Sequence, residues 1–83
     1  MMTTDEKLTT FAINLRRLRV AKRYSIRELA ELAGVSTIGL IERGERRDPH
    51  LSSAIEIAKA LDVDLGVLFV PVPDADPSDD GDR

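Results

Sequence analysis

The sequence predicts an all-α domain, a compact bundle of five short helices with a helix-turn-helix inside it. Three observations point there. Apolar residues recur at helical spacing from Leu8 to Phe69. The segments between them open on capping residues, Ser25, Asp48 and Asp64, and close on Gly34, Gly44 and Pro71. The stretch Leu29–Gly44, LAELAGVSTIGLIERG, joins one amphipathic helix to a second through a tight turn at Gly34.

The first helix follows from Leu8, Phe11, Ala12, Leu15 and Leu18 and should run to about Lys22. Arg19 continues this stripe, so its guanidinium should be partly buried and needs an acidic partner. The second helix opens on Ser25 and Glu28, an S-x-x-E capping box, with Tyr24 and Leu29 at the positions of a hydrophobic staple. Ile26, Leu29, Ala30 and Ala33 form its core stripe, and Gly34 supplies the left-handed residue that ends it.

The third helix should start at Ser36 or Thr37 and stop at Gly44, with Ile38 and Ile41 on its inner face. Gly39 inside it costs about 1 kcal/mol relative to alanine. Glu42 adjoins the apolar face and is the best partner for Arg19. Asp48–Pro49 reads as an N-cap followed by proline at the first position of the fourth helix, whose stripe is Leu51, Ala54, Ile55, Ala58 and Leu61. Asp64 can cap a fifth helix over Leu65–Phe69, which Pro71 terminates.

With 83 residues the chain is sized for a single small domain. The expected organisation is a frayed N-terminus over 1–7, a helix-turn-helix domain over 8–73 and an acidic disordered tail over 74–83. The absence of cysteine excludes disulfides and thiolate metal sites, so packing must carry the fold. The opening MMTTDEKLTTF is neither a signal peptide nor a membrane span, and a cytoplasmic protein without membrane contact is the expectation.

The net charge of −3 conceals a strong asymmetry. Residues 74–83 hold five Asp against one Arg, whereas residues 16–47 hold nine Lys or Arg against four Glu. Phosphate binding depends on local positive potential, so the overall charge does not exclude a nucleic-acid partner. An enzyme has little to stand on. His50 is the sole histidine, without a second ligand for a metal. Ser25, Ser36, Ser52 and Ser53 sit at helix starts, where capping accounts for them. No G-x-S-x-G elbow, P-loop, G-x-G-x-x-G or calcium loop occurs, and no cofactor or metal is expected.

From Phe11 to Phe69 the chain resembles the Xre family, the Cro/CI-type helix-turn-helix domains of phage repressors and bacterial regulators. The resemblance rests on LRRLR at 15–19, SIRELAELAGVS at 25–36, IERG at 41–44 and IAKALDVDLGVLF at 57–69. It implies a five-helix bundle of the phage-repressor type, dimeric on operator DNA, with Arg19 and Glu42 as a buried ion pair between the first and third helices. Gly34 and Gly44 stand ten positions apart. That is shorter than is usual in the family by two residues, equivalent to about 3 Å of helix and roughly 200° of rotation. The family's glutamine at the start of the second helix is Ile26 here.

The resulting expectation is a repressor-like, DNA-binding transcription regulator acting as a homodimer on double-stranded DNA. Ser36, Thr37, Gly39 and Leu40 are the base-facing candidates, and Arg27, Arg43, Arg46 and Arg47 the phosphate candidates. None of the four base-facing residues is an Arg, Asn or Gln, the side chains that pair bidentately with a purine. The alternative is a protein-interaction module of the same fold, antitoxin-like or co-regulatory, with weak or no operator reading. Leu40 on the reading face and the acidic tail favour it, since such a tail can dock on a basic partner or compete with DNA. Val67, Leu68, Phe69, Val70 and Val72 either close the core or form a dimer seam.

Overall fold

The computed structural model describes residues 2–46 and 48–71. Four α-helices, α1 (Thr4–Ala21), α2 (Ile26–Ala33), α3 (Ile38–Glu42) and α4 (Leu51–Leu61), precede a 3-10 helix at Leu65–Phe69. No strand occurs among the described residues. The last segment is 3-10 rather than α, as the 3.0 Å bond from Val67 N–H to the Asp64 carbonyl illustrates. Asp64 stands at its N-cap but its side chain makes no capping bond.

Helix α1 begins a full turn before Leu8. Thr3 Oγ1 accepts the Glu6 N–H at 3.1 Å, and Glu6 Oε1 accepts the Thr3 N–H at 2.8 Å. This second capping box makes residues 4–7 helical where fraying was expected. The helix closes without a glycine: Arg23 takes the left-handed conformation, φ 63°, and Tyr24 N–H returns to the Arg19 carbonyl. Asp62 does the same after α4, at φ 59°.

The core lies where α1 meets α3 and the 3-10 helix, and where α2 meets α3 and α4. Phe11, Leu15, Leu29, Ile57, Leu61 and Leu68 are wholly buried there. Each such side chain contributes roughly 1.5–3 kcal/mol relative to exposure. Phe69 packs its ring 5.2 Å from that of Phe11, so the C-terminal turn belongs to the core.

Helix α4 is rotated from the expected stripe. Ile57 is buried, while Leu51 and Ile55 face outward, because the close approach to α2 uses the Ala54–Ile57–Ala58–Leu61 face. Asp48 does not cap this helix; His50 holds the N-cap position without a side-chain bond, and Leu51 is the first helical residue. Ile26 likewise stays exposed at the start of α2, where the first turn projects past the core.

Asn14 is the one wholly buried polar residue among the described residues. Its amide nitrogen donates to the carbonyls of Leu68 and Val70, both at 2.9 Å, and its oxygen accepts from Arg17 at 3.3 Å. Those bonds fasten the Leu68 and Val70 carbonyls to α1, the first of them buried and the second partly so.

Candidate nucleic-acid interface

The local sequence sets the geometry of residues 25–46. Ser25 Oγ accepts the Glu28 N–H at 3.0 Å and Glu28 Oε1 accepts the Ser25 N–H at 2.7 Å, so α2 starts at a fixed residue. Gly34, at φ 70°, reverses the chain, and Val35 N–H closes on the Ala30 carbonyl at 3.0 Å while its side chain is buried. Ser36 and Thr37 form a turn, not the first turn of the helix. Helix α3 therefore begins at Ile38 and ends at Glu42, with Thr37 at its N-cap making no side-chain bond. Of the serines assigned to capping, Ser25 alone does so; Ser36 lies in the turn, and Ser52 and Ser53 lie within the first turn of α4.

Burial of Ile38 and Ile41 orients α3. At 3.6 residues per turn the opposite side carries Gly39, Leu40 and Arg43. Ser36 is exposed, whereas Thr37, Gly39 and Leu40 are half-buried. Ile26 from α2 lies against Gly39: a Cβ built there would stand 3.5 Å from Ile26 Cγ2 and 3.1 Å from Arg43 Nη1.

Arg19 and Glu42 lock α3 to α1. Arg19 Nε donates to Glu42 Oε2 at 2.6 Å, Nη2 donates to Oε1 at 2.9 Å, and Nη1 donates to the Tyr24 carbonyl at 2.8 Å. The two side chains are only 13 % and 5 % exposed. The hydrogen bond to Glu42 raises the Arg19 pKa above its ordinary value, with Glu42's charge adding to it and partial burial opposing it. Both ends of the guanidinium and both carboxylate oxygens are satisfied, as a buried pair requires.

The cations beside this face are open. Arg27 is 89 % exposed, with only a loose 3.7 Å contact to Glu31. Arg43 is 56 % exposed and donates through Nε to Glu45 at 2.9 Å. Arg46 is exposed and has no ion pair among the described residues, but its backbone is fixed, because both Glu45 and Arg46 N–H groups donate to the Leu40 carbonyl. Gly44, at φ 77°, permits that return. Arg47 and the acidic stretch 74–83 lie outside the described residues.

Sequence reasoning missed Asn14 and the position of the Arg43 head. Asn14 lies three residues after Phe11 on the inner face of α1, and a polar residue inside an apolar stripe was the available signal. The placement of Arg43 over Gly39 follows from a missing Cβ one turn earlier, which a search by residue charge passes over.

A helix, a left-handed glycine turn and a second helix whose outer face is flanked by open arginines define a DNA-binding helix-turn-helix. A helix-turn-helix family model matches residues 15–68. The chain belongs to that family, the Xre or Cro/CI type, whose domains are DNA-binding and regulatory and not typically catalytic. No curated protein and no solved structure gives a significant match. Among the described residues, no helix is long and apolar enough to cross a membrane.

Proposed function

We propose that this protein is a repressor-like transcription regulator that binds operator DNA as a homodimer and acts by occupancy. The observation that carries the reading is the outward face of α3, held at a fixed angle by the Arg19–Glu42 pair and bordered by exposed Arg27, Arg43 and Arg46. In a dimer two such faces would enter successive major grooves about 34 Å apart. Arg27, Arg46 and Arg47 would meet phosphates, and Ser36, Thr37, Gly39 and Leu40 would face the bases, with Arg43 beside them. The two-residue shortening falls on the helix in this reading, since α3 has five residues and the Gly34 turn is intact.

Assembly through the C-terminal turn is supported by Val67 and Val70, which are 41 % and 58 % exposed beside the buried Leu68. Leu68 is wholly buried in the core, and Phe69 is half-buried with its ring against that of Phe11. Val72 lies outside the described residues.

Selection of duplexes from a random library at about 150 mM salt tests the proposal. Enrichment of a two-fold symmetric site is the expected result. Retention without an enriched sequence would leave phosphate binding alone.

A second reading, a protein-interaction module of the same fold, is favoured by the apolar character of the face itself. Ile26 is 39 % exposed beside Gly39, and Leu40 completes an apolar strip where base-reading amides would stand. Failure to retain any duplex would favour this module.

A further inference from the structure

We infer that Arg43 is the residue that reads a base, a guanine, in place of the side chains that α3 lacks at its start. The inference deepens the DNA-binding reading and rests on it.

Neither Gly39 nor Leu40 on the outward side of α3 offers a hydrogen-bonding side chain. Ser36 and Thr37 in the preceding turn offer single hydroxyls, which do not fix one base pair. Arg43 follows Gly39 by one helical turn, and long helical side chains lean back toward the N-terminus. Here the lean is extreme. Arg43 Nη1 lies 3.1 Å from where a Cβ on Gly39 would sit, so the guanidinium occupies the room left by the absent side chain.

Three features suit that head to a base edge. Glu45 Oε2 accepts from Nε at 2.9 Å, which orients the planar group. Nη1 and Nη2 make no hydrogen bond among the described residues, leaving the terminal amino groups for an acceptor pair such as guanine O6 and N7. The head also lies over Gly39, on the side that Ile26 approaches, and not beyond the end of the helix. Phosphates line the rim of the groove, and Arg46, in the loop after α3, is placed for that contact.

Gly39 then has a role of its own. A methyl group there would meet the guanidinium at 3.1 Å and push it aside, since the contact is the far end of a flexible side chain. Gly39→Ala should keep the fold and displace Arg43.

The test is base selection on random duplexes with the full chain and three variants, Arg43→Met, Gly39→Ala and Arg46→Ala, each checked for an intact helical signal. Wild type should enrich a guanine at one position of each half-site. Arg43→Met, which has no donor for guanine, should lose on the order of ten- to a hundredfold of the guanine preference there while other positions persist. Gly39→Ala should lose most of the same preference although Arg43 is present, and Arg46→Ala should weaken all duplexes alike. A uniform loss with Arg43→Met, leaving the selected sequence unchanged, would assign Arg43 to phosphate and overturn the inference. A wild type that binds duplex but selects no guanine would overturn it too, leaving DNA binding intact; a wild type that retains no duplex would overturn the DNA-binding reading itself.

Discussion

Arg19 of α1 and Glu42 at the end of α3 form a bidentate pair, 2.6 Å and 2.9 Å, almost sealed from solvent. The pair joins the helix that carries the core to the helix that carries the outer face. Glu42→Ala leaves the Arg19 guanidinium enclosed without its carboxylate and should destabilise the domain by about 3 kcal/mol in denaturant unfolding. A loss within about 0.5 kcal/mol would contradict the burial. Folding raises the Arg19 pKa, so its contribution is complete at every pH below the unfolded value and is lost only as pH rises through the folded one. Between pH 6 and pH 9, values far below any arginine titration, the cost of Glu42→Ala should stay constant to within about 0.5 kcal/mol.

Asn14 offers a second test of a polar contact, this time in the core. Asn14→Ala strips the Leu68 and Val70 carbonyls of their donor and opens a small void, at a cost of about 2–3 kcal/mol. Thermal melting should show a lower Tm. Asn14→Asp should be at least as damaging at neutral pH, because a carboxylate brings a buried charge and donates no hydrogen bond to either carbonyl.

The loop arginines should act through salt. Replacing Arg46 and Arg47 together by Ala should weaken binding to every duplex and reduce the slope of log affinity against log salt by about two. Titrations at several salt concentrations give that slope directly. An unchanged slope would remove both residues from the phosphate contact.

The exposed valines at the C-terminal turn set the fourth prediction. Val67→Asp with Val70→Asp should yield a folded monomer in sedimentation, with stability altered by less than about 1 kcal/mol, because both positions are open to solvent. Wild type should sediment as a dimer under the same conditions.

Local signals made much of this fold legible in the sequence. The Ser25–Glu28 box and the left-handed Gly34 bracket α2 within a residue of where the spacing puts it. Arg19 was marked for burial by its place in an apolar stripe, and the structure holds it against Glu42. What escaped is what neighbouring elements decide. Nothing within α4 says that Ile57 and not Ile55 turns inward; the packing against α2 chooses. The ends of α1 and α4 fall within a residue of where the apolar spacing stops, although Arg23 and Asp62, not glycines, take the left-handed turn. At the interface, α3 starts at Ile38, one residue past the expected Ser36 or Thr37, because both stay in the turn and Thr37 holds the N-cap position without a side-chain bond. Arg43 looked like one more surface cation until the empty side of Gly39 gave its head a place.

The two capping boxes also bear on the order in which the chain organises itself. Thr3 with Glu6 and Ser25 with Glu28 each close over a span of three residues, so α1 and α2 can initiate before any distant segment arrives. Helix–coil relaxation takes about 0.1–1 μs, whereas contacts distant in sequence must first offset the entropy of a closed loop. Asn14 reaches across 54 positions to Leu68 and Arg19 across 23 to Glu42, so these clasps belong to the late part of folding. A nascent chain would therefore carry both boxed helices as local structure before its C-terminal turn exists, and would acquire the Asn14 clasp only after Val70 has left the ribosome.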